Sequence, residues 1–408
     1  MIENSAEHDD ATEAPDEHAD DLPTPIDTSL YKEMTGEPID VTFNIDTWDT
    51  GVRALQAFER LEHEVQLAEE LSQEARIGIR KEIFPLVWKL HDRVPEAGIY
   101  RTSLNELKEA QSNIVFSGLV EACDGNNHVH RTLSMDIVQV AVALVSYNGE
   151  EETWAHRVFR RDVSMKSEGN LLDRVMNLLE ARSPKKANAR AVTERLRRAI
   201  MTYMERVVLA EKSQAPWVMG HGNPLAFELL TGSGLAAVIE LSIPVLRKLI
   251  DRKQFVFVAS DTNKQHFITI GDALEPLEYA ILDDALQDID AILAGGYRGT
   301  DFIRAKTQHL DPLRNEVAKN VLTGVFRASR FAPAQLFYAH REHVHEAALI
   351  AMADSVLQEH RGFPMLIDMA DNLCRTYFGA ETLNRPTQAA FASQSEPFRY
   401  LNERATRP

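Results

Sequence analysis

Residues 135–147 read Met-Asp-Ile-Val-Gln-Val-Ala-Val-Ala-Leu-Val-Ser-Tyr, and Asn-Gly follows at 148–149. The run is rich in β-branched side chains, which favour strands, and Asn-Gly is a strong signal for a tight hairpin turn. Residues 153–161 alternate well enough to form the returning strand. Upstream, residues 118–125 read Gly-Leu-Val-Glu-Ala-Cys-Asp-Gly, which predicts a short strand that ends in a turn at Asp124. These runs predict paired strands in the middle of the chain.

Helices and further strands alternate after this hairpin. The predicted helices span residues 169–182, 188–213, 235–252, 341–360 and 363–378. Short apolar runs predict two more strands, over 216–222 and 254–261, and each ends in polar turn residues. The stretch beyond 261 is predicted to be mostly helical, with loops at 295–296 and 330–333. Strands that are first paired by a hairpin and then alternate with helices predict an α/β fold with a mixed sheet.

The composition is that of an ordinary soluble globular protein, with 44% hydrophobic and 26% charged residues. It excludes a wholly disordered chain, a fibrous protein and a disulfide-rich secreted module. The two cysteines, Cys123 and Cys374, lie far apart, which suits a reducing cytosol where neither needs a partner. The sequence has no run of about 18 apolar residues and no secretory signal pattern, so we expect a cytoplasmic protein without a membrane span.

The net charge of −18 is unevenly distributed, because residues 1–24 hold nine acids and no Lys or Arg. This segment is predicted to be disordered, and it either solubilises the protein or serves as a partner-binding or DNA-mimicking arm. Residues 47–92 show a helical pattern with a break expected at Pro85, and this element either dimerises or packs on its own domain. We expect an acidic tail and linker over 1–45, a helical arm over 46–112, an α/β domain over 113–380, and a C-terminal helix and tail over 381–408.

Ionisable residues stand at three of the predicted strand ends, namely Asp124, His221 and Asp261. Functional groups of α/β sheets gather at the carboxyl ends of strands, so these residues are candidates for a site. The alternative for Asp124 is a turn-forming role, in which its side chain caps the next segment.

A basic stripe lies between the first two of these strand ends, and only Glu194 interrupts it. Its members are Arg182, Lys185, Lys186, Arg190, Arg195, Arg197 and Arg198. Such cations can hold phosphates while strand-end carboxylates hold a metal, which is the combination that a nuclease needs. The alternative is a solvated helix face.

Three histidines, His340, His343 and His345, form a cluster near the predicted helix at 341–360. Two histidines three residues apart can share a helix face and bind a metal. The sequence has no His-Glu-x-x-His motif and no Cys partner for them, so capping or DNA contact at a helix start is favoured over a zinc site. No phosphate-binding loop and no Gly-x-Ser-x-Gly motif occur.

The order of these features resembles the NurA family, the nucleases that act beside the HerA hexameric ATPase in DNA end processing. The family's first motif, a strand ending in Asp-Gly-Ser, is matched by Val-Glu-Ala-Cys-Asp124-Gly-Asn, and its helical Glu is matched by Glu205. Its next strand ends in Asp-Gly-x-Leu, and His221 stands at the position of that Asp. Lys264 matches a Lys after the following strand. Near the end of the resemblance, Asp371 stands where the family has a His.

The resemblance covers roughly residues 119–378 and implies an RNase H-like mixed-sheet core with inserted and flanking helices. It implies a deoxyribonuclease that uses Mn²⁺ or Mg²⁺, with one metal activating water and a second, where two bind, stabilising the leaving oxygen. The implied metal ligands are Asp124, Glu205, His221 and Asp371, and Lys264 would offset charge on the phosphate. The basic residues Arg195, Arg197 and Arg198 would follow the DNA backbone.

The implied partners are DNA, a HerA-type translocase ATPase and a second copy of the chain, with a role in DNA repair or defence. Two alternatives stay open at this point. One is a catalytically inactive NurA-like subunit that bridges the translocase and DNA. The other is an unrelated, metal-free regulatory protein with a helical arm.

Overall fold

The computed structural model describes residues 28–48, 52–131, 135–148, 152–162, 185–259, 264–295 and 299–396. The chain divides into two compact units, residues 1–73 and 74–408. The described part of the first unit is helical, with helices α1 (Thr28–Thr35) and α2 (Ile39–Thr42) and the beginning of helix α3 (Val52–Gly78). No helix in these ranges is both long and apolar enough to cross a membrane.

The second unit is built on one nine-stranded mixed sheet. Its strands are β1 (Gly98–Arg101), β2 (Val120–Arg131), β3 (Met135–Val145), β4 (Glu152–Asp162), β5 (Trp217–His221), β6 (Phe255–Ala259), β7 (Glu278–Asp284), β8 (Val321–Phe326) and β9 (Gln335–His340). They lie in the order β1-β7-β8-β9-β6-β5-β2-β3-β4. Strands β2, β3 and β4 form an antiparallel meander, and β5 and β6 run parallel to β2. This five-strand segment has the RNase H-like arrangement, and it confirms the predicted α/β class.

Helices pack on this sheet and fill the connections between its strands. They are α4 (Leu104–Ala110), α5 (Lys185–Val207), α6 (Phe227–Leu230), α7 (Ala236–Asp251), α8 (Gln265–Asp272), α9 (Leu286–Ala294), α10 (Thr300–Ala305), α11 (Asp311–Glu316), α12 (Val344–Ser355), α13 (Met365–Phe378) and α14 (Ala380–Ser393). A π-helical turn, Val208–Lys212, continues α5. Helices α5 and α13 both contact β2 and β3, which places them beside the part of the sheet that carries Asp124.

Strand β2 passes through Asp124 instead of ending there, which corrects the predicted turn at this residue. Strand β3 runs antiparallel beside it, with Asp124 opposite Ala143. The long apolar partner outweighs the turn preference of Asp-Gly-Asn-Asn, because the ladder pairs the backbone groups along the whole strand. Parallel pairing with β5 does stop at Cys123, so Asp124 lies where β2 parts from β5.

Three strands, β7, β8 and β9, lie in the stretch that was predicted to be mostly helical, and β1 lies in the predicted helical arm. Every residue of β8 and β9 is buried. Strands buried on both faces lose the alternation that identifies a strand, and a short continuous apolar run looks the same in a buried helix. The predicted helix over 169–182, residues 1–24, Asp261 and Arg182 lie outside the described residues.

A close contact between β5 and β6 sets the geometry behind the candidate site. Gly220 lies opposite Phe257 in the parallel register. A Cβ atom at Gly220 would lie 2.2 Å from the Phe257 ring, so only glycine lets this ring cover the backbone of β5. The ring therefore lies against the carboxyl end of β5, whose last residue is His221.

Candidate active site

Asp124 and His221 meet because of the register between two parallel strands. Cys123 of β2 lies opposite Gly220 of β5, so the residues that follow them, Asp124 and His221, lie side by side. Asp124 Oδ2 lies 3.5 Å from His221 Nδ1. The aspartate is buried, whereas the imidazole keeps 38% of its side-chain surface exposed. The pair thus presents one buried carboxylate beside one partly exposed imidazole.

Glu205 reaches the same place from helix α5. Its side chain is buried, and a Cβ atom at Gly125 would lie 2.7 Å from Glu205 Oε1. The Gly125 N–H donates to Asp124 Oδ1 at 2.8 Å and also hydrogen-bonds the Glu205 carboxylate. One backbone amide therefore stands between two carboxylates, and the missing side chain of Gly125 leaves the room for Glu205.

Arg206 is the residue of the site that the sequence argument missed. It is fully buried, and its Nη1 donates to Glu205 Oε2 at 3.1 Å. Its Nη2 donates to the backbone carbonyls of His221 at 3.0 Å and Asn223 at 2.9 Å. Its guanidinium lies 4.5 Å from the centre of the Phe257 ring. A signal was present in the sequence, since Glu205 and Arg206 are adjacent charges inside the apolar run Tyr-Met-Glu-Arg-Val-Val-Leu.

The electrostatics of the site follow from burial and from these contacts. Burial raises the pKa of Glu205 to about 7, although Arg206 opposes the shift, and the charge of Asp124 adds to it. Burial lowers the pKa of His221, but the hydrogen bond to Asp124 and the charges of Asp124 and Glu205 outweigh it, so the net pKa is raised. Both shifts favour the protonated form of the side chain. A cation bound here would displace those protons, because metal ligands bind in their deprotonated form.

Helix α13 brings Asp371 to the neighbourhood of Asp124. Cys374, one turn further along this helix, donates from Sγ to the Asp124 carbonyl oxygen at 3.6 Å. Burial raises the pKa of Asp371, the charge of Asp124 adds to the shift, and Arg375 opposes it. The Asp371 carboxylate accepts a hydrogen bond from Arg375 Nε at 2.9 Å. A direct role of Asp371 beside His221 therefore stays a prediction.

Lys264 forms an ion pair with an aspartate of helix α9. Its Nζ lies 2.6 Å from Asp288 Oδ2 of helix α9. The same ammonium group lies over the rings of Phe267 and Tyr338. Its predicted contact with a phosphate stays a prediction, and it would require the ammonium to exchange Asp288 for the phosphate.

The donor set suits a divalent cation in its chemistry. Carboxylate oxygens and an imidazole nitrogen are ligands that Mn²⁺ accepts. In the described parts of the chain, however, no three or more His, Cys, Asp or Glu side chains are grouped so that they could hold a metal ion. Mg²⁺-type sites commonly take only one or two carboxylates, and water and substrate phosphates supply the other positions. Asp124 and His221 fit such a sparse site, and Glu205 could join it through Oε1 while Oε2 keeps its hydrogen bond from Arg206.

Part of the predicted basic stripe lines a cleft on the same helix as Glu205. The cleft has a volume of about 530 Å³ and is lined by Arg195, Arg198, Phe227, Glu228, Thr231, Ser233 and Gly234. Arg198 and Glu205 are seven residues apart, so they lie on nearly the same face of α5, separated by about 10 Å along its axis. Lys185, Lys186 and Arg190 belong to α5 as well, but their side chains lie outside the description. Arg197 interacts with other groups.

The histidine cluster has separate partners. His340 Nδ1 accepts a hydrogen bond from the Glu342 N–H at 3.2 Å, as an N-terminal cap does. His345 Nδ1 lies 2.9 Å from the Tyr279 hydroxyl oxygen. His343 lies 3.4 Å from Glu346. Of the three histidines only His340 acts as a cap, at the 3₁₀ turn Arg341–His343 that precedes α12.

Replacing Gly125 with alanine is expected to lower the free energy of unfolding by about 1–3 kcal/mol, the usual cost of overpacking. The new methyl would crowd Glu205 Oε1 and Met201 Cγ, and it would lie 3.2 Å from the Ala141 carbonyl oxygen. Urea unfolding measures the change. Gly78→Ala is the control, because a Cβ atom there meets nothing within 4 Å. Equal stabilities of the two variants would show that Gly125 does not make room for Glu205.

Comparison with known proteins finds similarity only among solved structures. No protein-family model matches the chain, and no curated protein matches it. The NurA nuclease from Sulfolobus solfataricus is 10% identical, with 81% of this chain and 98% of that chain covered and a TM-score of 0.39. Another NurA structure is 8% identical, with 82% and 97% covered and a TM-score of 0.43. NurA bound to dAMP and manganese is 10% identical, with 77% and 97% covered and a TM-score of 0.37. The chain is thus similar to solved NurA structures, the family that its motifs resemble.

Proposed function

We propose that this protein is a metal-dependent nuclease that hydrolyses phosphodiester bonds of DNA. The observation that carries the proposal is the meeting of Asp124, His221 and Glu205 at the point where β2 parts from β5. A cleft lined by Arg195 and Arg198 lies on the helix that supplies Glu205. Carboxylates for a metal and arginines for phosphates are the two parts that nucleolytic chemistry requires.

The proposed cofactor is Mn²⁺ or Mg²⁺, and manganese is also the ion in one of the similar NurA structures. Asp124 and His221 would hold it, with Glu205 and Asp371 as further candidate ligands. A divalent cation bound there polarises a phosphoryl oxygen and lowers the pKa of a bound water. Manganese accepts this mixed oxygen and nitrogen donor set more readily than magnesium, which prefers oxygen alone.

Side chains of the protein would transfer protons, orient the metal ligands and bind the phosphates. Glu205, whose pKa lies at about 7, can take up or release a proton under neutral conditions. Asp124 accepts from the Gly125 N–H and pairs with His221, which fixes the orientation of both side chains. Arg195 and Arg198 would hold the DNA backbone at the cleft, and Lys264 would offset phosphate charge once it is released from Asp288.

We further propose that the protein acts in the cytoplasm as a homodimer with a HerA-type translocase ATPase, in DNA end processing or defence. These proposals rest on the resemblance of the motifs. One observation favours a second candidate, a catalytically inactive subunit that bridges the translocase and DNA. The positive charge of Arg206 lies 3.1 Å from the Glu205 carboxylate, and this charge opposes the binding of a metal cation beside it.

A nuclease assay with added Mn²⁺ tests the proposal. Single- and double-stranded DNA would be incubated with the full chain, with and without a HerA-type ATPase, and with EDTA as the metal-free control. We expect cleavage that requires the metal and stops with EDTA. Binding of DNA or of the ATPase without cleavage would favour the inactive bridging subunit. Absence of both binding and cleavage would contradict both functions.

Replacing Arg195 or Arg198 with alanine should weaken DNA binding about equally for every sequence. Each substitution removes one cation from the cleft, so the slope of log K against log salt should become smaller by about 1. Fluorescence anisotropy with labelled DNA at several salt concentrations measures both effects. Arg304→Ala is the control, since Arg304 pairs with Glu240 outside the cleft. An unchanged salt slope in both cleft variants would assign the arginines to a solvated helix face.

A further inference from the structure

Arg206 connects the two elements that carry the candidate ligands. It belongs to helix α5, and its Nη1 holds the carboxylate of Glu205 on that helix. Its Nη2 holds the carbonyls of His221 and Asn223, at the turn that follows β5. With a side-chain exposure of 2%, the guanidinium is closed off from any DNA in the cleft. Its contacts therefore act on the protein itself.

We infer that Arg206 is a positioning residue, which fixes Glu205 and the turn after His221 in one frame so that the site can bind its metal. The inference rests on the proposed function. Asp124 needs no such help, because the β2–β3 ladder holds the backbone of β2 from Ala122 to Arg131. The carboxylate of Glu205 lies at the end of a flexible side chain, and His221 is the last residue of a short strand. These two are the ligands whose placement depends on an added contact.

The shape of the guanidinium explains why an arginine serves here. Its planar group has several donors in fixed directions, so one side chain can hold a carboxylate and two carbonyls at the same time. The Phe257 ring centre lies 4.5 Å from the guanidinium carbon, and Phe257 is itself fully buried against Gly220. The sheet core thus determines where the guanidinium lies, and the guanidinium determines where the two ligands lie.

A lysine at this position would separate positioning from charge. Its ammonium keeps a positive charge beside Glu205, but it is a compact point charge without the fork of donors. Arg206→Lys keeps the charge beside Glu205 but loses hydrogen bonds to the His221 and Asn223 carbonyls, so it should lower the melting temperature less than an uncharged replacement does. It should lower the affinity for Mn²⁺ roughly 10- to 100-fold, the usual effect of removing a group that orients metal ligands. A purely structural role would lower the melting temperature and leave the affinity unchanged.

Arg252 offers a matched control at the other end of β5. It donates to the backbone carbonyls of Ser213 at 3.3 Å and Ala215 at 2.6 Å, just before the strand begins. Arg252→Lys thus removes two guanidinium donors to backbone carbonyls just before β5, at the end of the strand opposite to His221. We expect this variant to bind Mn²⁺ with wild-type affinity.

Isothermal titration calorimetry of the full chain with MnCl₂ alone, without DNA, tests the inference, with melting curves recorded in parallel. If the wild type binds Mn²⁺ and Arg206→Lys binds it equally tightly, the positioning role is wrong while the proposed function stands. If Arg206→Lys and Arg252→Lys lose the same affinity, the effect is not specific to the site and the inference is also overturned. If the wild type itself binds no Mn²⁺, the proposed function fails first. A loss confined to Arg206→Lys supports the inference.

Discussion

Replacing Asp124 with asparagine should lower DNA cleavage by more than about 100-fold if Asp124 binds the metal as proposed, because loss of a ligand should exceed the 10- to 100-fold loss seen for groups around the ligands. The fold should survive. An asparagine keeps the volume and the Oδ1 acceptor for the Gly125 N–H, which lies 2.8 Å from Asp124 Oδ1. The β2–β3 ladder does not depend on this side chain. What the substitution removes is the negative charge that faces His221 and the proposed cation.

Asp284 supplies the matched control for this variant. It is also a buried aspartate near the carboxyl end of a strand, and its Oδ1 accepts a hydrogen bond from the Leu286 N–H at 3.0 Å. It thus has the turn-capping role that was the alternative for Asp124. Asp284→Asn keeps its Oδ1 acceptor in the same way, so both variants should fold, but only Asp124→Asn should lower kcat/KM. Wild-type cleavage by Asp124→Asn would remove Asp124 from the proposed site. Unfolding of that variant alone would show that the Asp124 carboxylate serves the fold.

The meeting of Asp124 and His221 could be predicted from the sequence, because each follows an apolar strand and parallel strands end at one edge of a sheet. The hairpin of β3 and β4 was equally predictable, since its β-branched run and Asn-Gly signal are local. The turn predicted at Asp124 was wrong because β3, the next strand along the chain, pairs with β2 beyond Asp124. Local sequence signals thus identified the strand that carries Asp124 but not where that strand ends.

Contacts that depend on burial could not be predicted. The pairing of Lys264 with Asp288 joins a strand end to a helix that the sequence does not place beside it. Strands β7, β8 and β9 were missed because they are buried on both faces and so show no alternation. Arg206 looked like one more cation of a basic helix, and only its burial against Phe257 distinguishes it from the solvated ones.

Replacing Arg206 with methionine should lower the free energy of unfolding by about 3–5 kcal/mol at pH 8, the usual cost of leaving a buried charge without its partner. Glu205 would lose the guanidinium 3.1 Å away, and the carbonyls of His221 and Asn223 would lose their donor. Methionine is chosen because it fills most of the volume, so that a cavity contributes little. Urea unfolding measured at several pH values gives the cost.

The cost should grow as the pH rises above about 7. Burial raises the pKa of Glu205 to about 7 even beside Arg206, and removal of the guanidinium must raise it further. The unfolded chain releases this proton at about pH 4.3. At pH values between the unfolded and the folded pKa of Glu205, the folded state binds more protons than the unfolded state, so the free energy of unfolding falls as the pH rises. In Arg206→Met the folded pKa is higher, so this fall continues above the pKa that Glu205 has in the wild type. Near pH 6, where Glu205 is mostly protonated in both proteins, only the lost hydrogen bonds should count.

The double variant Glu205→Gln/Arg206→Met separates the buried charge from the lost hydrogen bonds. Glutamine cannot ionise, so the growth of the Arg206→Met cost above pH 7 should disappear while the cost near pH 6 remains. Glu205→Gln alone should cost less than Arg206→Met alone, because Arg206 keeps the His221 and Asn223 carbonyls as acceptors. The two substitutions should therefore be non-additive by about 0.5–3 kcal/mol, as expected for residues in direct contact. An Arg206→Met cost that is independent of pH, or additive costs in the double variant, would mean that Glu205 is not held as a buried anion by Arg206.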